Sequence, residues 1–193
     1  MALVKNEERI SVEDYLAGEL VAEVKHEYLG GVVHAMAGGT VRHQQVAGNV
    51  FLSLGGQLRG QACRPFNSDM KVRLDLPNQT RFYYPDLQVV CENSEDDDTF
   101  QDKPVVVVEV LSESTRRVDL GEKREAYLSI PTLKLLLVID PETVWIQVDR
   151  RRPSGGFGQE LYRDFDDVIA MPEIDCQLSV AEIYERVELK GRG

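Results

Sequence analysis

The chain has 193 residues, 42% of them hydrophobic and 28% charged, with a formal net charge of −11. That length and composition predict one globular domain with a substantial core, residues 1–193, and no run approaches the ~18 apolar residues that span a bilayer. The acidity argues against a dedicated, non-specific nucleic-acid binder. It does not exclude an enzyme whose carboxylates hold a divalent cation, because the cation then supplies the positive field. Met1 to Arg9 lacks the apolar core of a signal peptide. Cys63, Cys91 and Cys176 are odd in number and never spaced CxxC, which predicts neither a disulfide framework nor a structural zinc site. A reducing cytoplasm is the expected location.

In chain order, Ser11-Val12-Glu13-Asp14 opens a helix as a capping box does, and Tyr15, Leu16, Leu20, Val21 and Val24 extend it at roughly helical spacing. Gly30-Gly31 ends that segment, and Val32 to Met36 reads as a strand. Thr40 caps an amphipathic helix from Val41 to Leu58, with Val46, Val50, Leu54 and Leu58 every fourth residue. From Cys63 the period falls to two. Met70 to Leu74 and Asp86 to Cys91 are strands, separated by a turn at Leu76 to Gln79. Glu92 to Asp98 is an acidic run that reads as a solvated loop; it lacks the glycine and spacing of a Ca²⁺ loop. Asp119 to Ile130 is helical, with Pro131 just beyond its end. Leu133 to Ile139 and Val144 to Val148 are strands, Arg150 to Gly158 a basic and then glycine-rich loop, and Ser179 caps a last helix through Val187.

The informative anomaly is Glu109. It interrupts Pro104-Val105-Val106-Val107-Val108-Glu109-Val110-Leu111, a continuous apolar run of the kind that forms a central strand covered on both faces. An unpaired ionised carboxylate there costs several kcal/mol or shifts its pKa strongly. The sequence therefore predicts a cation beside it. Lys123 is the nearest candidate: with Leu120 and Tyr127 it is spaced i, i+3, i+7, so the three share an inward helix face. Asp86, opening the neighbouring strand, supplies a second carboxylate. Two carboxylates on adjacent strands can hold one hard divalent cation, and a lysine beside its water can stabilise an anionic transition state. The plainer readings are that Asp86 caps a turn, that Glu109 and Lys123 form a structural pair, or that Lys123 is a solvated helix residue. No HExxH-like spacing joins His26, His34 and His43, no P-loop lysine follows the glycine pairs, and Ser112 and Ser114 sit in no nucleophile elbow. Arg150 to Arg152 reads as a solvated turn rather than a phosphate contact.

Tyr84-Pro85-Asp86-Leu87, Val108-Glu109-Val110-Leu111-Ser112-Glu113-Ser114-Thr115, and Asp119 to Lys123 with Tyr127 resemble the Uma family of restriction endonucleases, in the PD-(D/E)XK nuclease superfamily. Glu27-Tyr28-Leu29-Gly30-Gly31-Val32, Met36-Ala37-Gly38 and His43 resemble the same family's opening, so the likeness runs from about Tyr15 to Tyr184. The resemblance implies a restriction-endonuclease-like α/β fold, a mixed sheet flanked by helices, and a hydrolase acting on DNA. It implies Asp86 and Glu109 as ligands of Mg²⁺ or Mn²⁺, with Glu27 a further carboxylate and His43 facing the same cleft. Leu111 stands where the superfamily has its lysine, and Lys123 is the substitute. A homodimer is expected, since two sites related by two-fold symmetry cut both strands most simply. The rival expectation is a non-catalytic interaction or regulatory protein that keeps the fold. A nuclease of RNA or single strands has no RNA-binding motif or aromatic platform in the sequence to support it.

Overall fold

The computed structural model describes residues 9–92, 94–112, 116 and 119–190. The N-terminal run before Arg9, Asn93 of the acidic loop and the Glu113-Ser114-Thr115 end of the resemblance lie outside the described residues.

The elements are α1 (Val12–Glu19), β1 (His26–Leu29), β2 (Val32–Ala35), α2 (Val41–Gln57), β3 (Arg64–Asn67), β4 (Lys71–Leu76), β5 (Gln79–Tyr83), β6 (Leu87–Val90), β7 (Phe100–Gln101) and β8 (Pro104–Val110). A wide π-type segment, Asp119–Lys123, runs into α3 (Arg124–Leu128). There follow β9 (Leu135–Ile139), β10 (Ile146–Arg151), β11 (Phe157–Tyr162), β12 (Val168–Met171), a 3₁₀ turn at Pro172–Ile174, β13 (Cys176–Ser179) and α4 (Val180–Ile183). One sheet has the order β2-β1-β5-β4-β7, a second β11-β10-β9-β8-β6-β3, and β12-β13 form a ribbon. Parallel pairing joins β8 to β9 and antiparallel pairing joins β6 to β8, so the second sheet is mixed. This is the expected mixed α/β architecture.

β8 lies inside the six-stranded sheet, which explains its unbroken valines. On one face Val106, Val108 and Val110 pack against Val46, Val50 and Leu54 of α2. On the other, Val107 packs with Tyr127 and Ala126 of α3 and with Val72, Leu74 and Tyr83 of the five-stranded sheet. Full burial of a side chain such as Leu54 contributes about 1.5–3 kcal/mol. A smaller aromatic cluster of Tyr15, Tyr28 and Phe82 fixes α1 to the outer face of the first sheet.

Two of the three expected caps form: Ser11 Oγ accepts from the Asp14 N–H and Thr40 Oγ1 from the His43 N–H, whereas Ser179 stands at the N-cap of α4 without a side-chain cap bond. Elsewhere the structure corrects the reading. The first helix stops at Glu19, and residues 26–29 form β1 rather than its continuation. Leu20, Val21 and Val24 are exposed, so their helical spacing reflects no buried face. Gly30 and Gly31, at φ of 59° and 104°, make the two-residue turn between β1 and β2 that side chains with a Cβ disfavour. β3, β5, β7, β11, β12 and β13 were not anticipated; β3, β7, β12 and β13 have four residues or fewer, and the six-residue β11 alternates half-buried with exposed positions over its second half. Arg150 is within β10, not a loop, and its guanidinium bonds to Glu160 and Glu173. The last helix ends at Ile183.

A further correction concerns the cysteines. β3 and β6 pair antiparallel with Arg64 opposite Val90, so Cys63 and Cys91 stand opposite each other one step beyond. They form a disulfide across 28 positions of sequence. Spacing along the chain could not show this, because the strand register creates the pair. Cys63→Ser is expected to lower stability in oxidising buffer by about 2–4 kcal/mol, with little change in excess reductant. Paired denaturant titrations of the two proteins, with and without dithiothreitol, check this.

Candidate active site

The sequence places five chemically active side chains, Glu27, His43, Asp86, Glu109 and Lys123, on five different segments, and the fold gathers them at one end of the central sheet. Glu109 is the sixth residue of β8, and its side chain faces α3. Leu87 pairs with Val108, so continuing that register by one residue sets Asp86 beside Glu109. Cross-strand neighbours of this kind have Cβ atoms about 4.5–5.5 Å apart. Asp86 is locked in place on both oxygens. Its Oδ2 accepts from the Val110 N–H at 2.7 Å, and its Oδ1 lies 2.8 Å from His43 Nε2. His43 comes from the first turn of α2, whose N-cap fixes the start of the helix.

Lys123 is 5% exposed, which settles the choice between an inward and a solvated lysine. Its Nζ donates to Glu27 Oε1 at 2.9 Å and lies 3.0 Å from Glu109 Oε1, with Asp119 Oδ1 at 4.0 Å. It also stands 5.2 Å from the centre of the Tyr83 ring. The Tyr127 hydroxyl donates to Glu109 Oε1 at 2.6 Å. Glu27 reaches the cluster because β1 is a strand: Tyr28 turns to the aromatic cluster on the outer face, and Glu27 turns inward to Lys123. The segment carrying Lys123 is not a regular α-helix. Gly121 interrupts it at φ −111°, ψ −105°. Asp119, Lys123 and Tyr127 are nevertheless buried together.

The structure thus brings together Glu27, Glu109 and Lys123 in direct contact, and places the Asp86–His43 pair next to them. Sequence reasoning gave no role to Asp119 or to the Tyr127 hydroxyl. The signal available was the i, i+4 spacing of Asp119, Lys123 and Tyr127.

The electrostatics follow from burial. Burial raises the Glu109 carboxyl; Lys123 opposes this, Asp86 and Asp119 reinforce it, and the result is a pKa pushed up to about 8. Burial disfavours the Lys123 ammonium, but Glu109, Glu27 and Asp119 outweigh it and hold its pKa above the usual lysine range. Burial also works against a charged His43, while the hydrogen bond and charge of Asp86 hold its pKa above the ordinary value. Burial, then Glu109, keeps the Tyr127 hydroxyl protonated.

A carboxyl whose folded pKa exceeds its ordinary 4.5 binds its proton more tightly in the folded state. Its contribution to stability is complete below 4.5 and is lost as pH rises through about 8. In EDTA, stability is therefore expected to decline across that window more steeply than in Glu109→Gln, by up to about 1.4 kcal/mol per pH unit. Urea titrations at a series of pH values measure the difference between the two slopes.

Among the described residues, no three or more His, Cys, Asp or Glu side chains converge as a ready-made metal cage. The donor set does fit a hard cation. Two carboxylates, Asp86 and Glu109, are enough for Mg²⁺ or Mn²⁺, which keep several waters and take phosphate oxygens as further ligands. Lys123 supplies the positive charge between Glu27 and Glu109.

The mixed central sheet between α2 and α3 is a restriction-endonuclease-like fold, with Asp86 just before β6, Glu109 on β8 and Lys123 buried against Glu109. The chain belongs to the Uma2 family, "Putative restriction endonuclease", whose model matches residues 12–181. An uncharacterized protein of Synechocystis, slr1290, is 32% identical over 177 residues, spanning 91% of this chain and 92% of its own. A second from the same organism, sll1609, is 29% identical over 143 residues, covering 72% and 80%. The solved structure of a protein from Anabaena variabilis, described as a putative nuclease belonging to DUF820, superposes with a TM-score of 0.73. It is 16% identical and covers 93% of this chain and 99% of its own, and the likeness is one of fold. No helix among the described residues is long and apolar enough to cross a membrane.

Proposed function

We propose that the protein is a metal-dependent endonuclease hydrolysing DNA phosphodiester bonds. The observation that carries this reading is the gathering of Asp86, Glu109 and Lys123 at one end of the central sheet, with Lys123 buried against Glu109 at 3.0 Å. Asp86 and Glu109 would hold Mg²⁺ or Mn²⁺, which when bound polarises a phosphate oxygen and lowers the pKa of water. The chain's own residues do the rest. His43 and the Val110 N–H fix the orientation of Asp86. Tyr127 orients Glu109. Lys123 donates hydrogen bonds to the attacking water and to the negative charge that grows on the phosphate. Glu27 holds Lys123 in reach. Cutting both strands is served by a homodimer, with one such site per protomer.

Duplex binding at the carboxylate site is expected to depend on divalent cation, because a protein of net charge −11 repels DNA. Affinity for a short duplex should be undetectable in EDTA and appear with Ca²⁺, which takes the same oxygen ligands. Asp86→Asn should remove that dependence. Fluorescence anisotropy at one fixed ionic strength tests it. Equal affinity in EDTA and in Ca²⁺ would refute a role for the carboxylates in recruiting DNA.

The second reading is a non-catalytic interaction or regulatory protein that retains the fold. Its support is the closed hydrogen bonding of Lys123 between Glu27 and Glu109, which balances the buried charge without a metal. Thermal stability indifferent to Mn²⁺ would favour it.

A further inference from the structure

β8 and β9 run parallel, so their carboxyl ends open on the same side, and crevices beyond such ends are where sheets of this type take ligands. A cavity of about 680 Å³ lies there. Leu111 and Ser112, which follow β8, form one wall; Asp140 to Glu142, which follow β9, form another. The first turn of α2 closes a third side. Through it the cavity adjoins the carboxylate site, since His43 lines the cavity and also holds Asp86 at 2.8 Å. His43 Nδ1 is buried and has no hydrogen-bond partner among the described residues.

The lining has two chemistries. Val41 and Val187 give an apolar surface, with buried Leu111 and Pro141 behind it and the amide of Gln45 beside it. Around it stand four basic side chains, Arg42, Arg116, Arg186 and Lys190, against three acidic ones, Asp140, Glu142 and Glu188. An excess of basic groups is unusual on a chain of net charge −11. Arg42 and Lys190 share a single carboxylate, Glu142, at 3.5 and 2.6 Å, while Arg116 contacts Asp140 at 2.5 Å. Arg186 is largely exposed, and its contact with Glu185 is a loose 3.9 Å. A cavity of this size with an apolar wall and a basic rim fits an anion that carries a flat apolar body.

We infer that this cavity is a subsite for one unpaired nucleotide of the substrate, its base against Val41 and Val187 and its phosphate on Arg116 and Arg186. The inference rests on the nuclease reading and deepens it. A base seated there is out of its duplex stack, so the preferred substrate is a strand that is single or frayed beside the scissile phosphate. A free nucleotide has the same chemistry as one within a strand, and the test separates them.

The test is run in EDTA, where metal plays no part. Calorimetry or NMR titration follows a deoxynucleoside 5′-monophosphate, the matching nucleoside, inorganic phosphate, a short single strand and its duplex. The monophosphate is expected to bind more tightly than either the nucleoside or phosphate. The single strand should compete with it, and the duplex should not. Arg116→Ala with Arg186→Ala, both solvent-exposed, should lower affinity about tenfold or more. Val41→Trp, at the exposed rim, should lower it by obstruction. Failure of the monophosphate to bind, or binding unchanged in both variants, would overturn the inference. So would monophosphate binding that the single strand does not displace, which would mark a site for free nucleotide. A parallel Mn²⁺ titration separates the two claims. Cavity binding without Mn²⁺ binding would overturn the metal-nuclease reading, and Mn²⁺ binding without cavity binding would overturn the subsite alone.

Discussion

Lys123→Met is expected to lower the stability of the metal-free protein by about 3–5 kcal/mol, and Mn²⁺ is expected to restore much of the loss. The lysine is buried, with Glu27 at 2.9 Å and Glu109 at 3.0 Å. Its removal leaves two carboxylates facing each other, with Asp86 and Asp119 close enough to add repulsion. Below about pH 8 the proton that Glu109 already favours limits this repulsion, so the loss is largest at alkaline pH. A cation held by Asp86 and Glu109 replaces the missing charge, and the variant should bind it more tightly than the parent does. Binding at a hundred times the dissociation constant returns about 2.7 kcal/mol. If the cluster is only a structural ion network, the variant is destabilised equally with and without Mn²⁺. Thermal melts of both proteins in EDTA and in Mn²⁺ distinguish these outcomes.

The second large effect is on cleavage. Glu109→Gln is expected to abolish hydrolysis of DNA, by several powers of ten, with the melting temperature at neutral pH unchanged or raised. The amide has the shape of the protonated carboxyl, which a pKa of about 8 makes the favoured form in the metal-free protein. It still accepts the Tyr127 hydrogen bond, but it is a poor ligand for a hard cation. Glu109→Ala is the less clean variant. It leaves the buried Tyr127 hydroxyl without its acceptor and removes one of the two short contacts of Lys123, so lost activity would be mixed with lost stability. Residual cleavage by a well-folded Glu109→Gln close to the parent rate would remove Glu109 from the proposed chemistry.

The parts of this protein that were legible in the sequence are those where burial is strong and periodic. Val46, Val50, Leu54 and Leu58 recur every fourth residue because one face of α2 packs on the sheet, and all are buried. Glu109 stood out because a single charge interrupts an interior strand. Lys123 could be placed on an inward face although Asp119–Lys123 winds more widely than an α-helix, since the i, i+4 relation to Tyr127 lies within and just after that segment. Glu27 was harder. It lies on a four-residue strand whose alternation is too short to oppose a helical pattern continued from α1. The Cys63–Cys91 bridge and the Asp86–His43 contact are long-range consequences of strand register and of where α2 begins, which no local pattern encodes. β11 to β13 escaped for separate reasons: β11 includes Gly158 and has no fully buried position, β12 is apolar throughout and so shows no alternation in sequence, and β13 is only four residues long.

The central claim is that Asp86 and Glu109 together hold a catalytic cation. Calorimetric titration of Mn²⁺ into the protein at pH 8, repeated with Asp86→Asn and Glu109→Gln, tests it most directly. The account predicts one Mn²⁺ per chain for the parent, with affinity that falls as pH drops below about 8, since Glu109 must give up its proton to bind. It predicts loss of that site in both variants. No heat of binding in the parent, or a site that survives both substitutions with unchanged affinity, would contradict it.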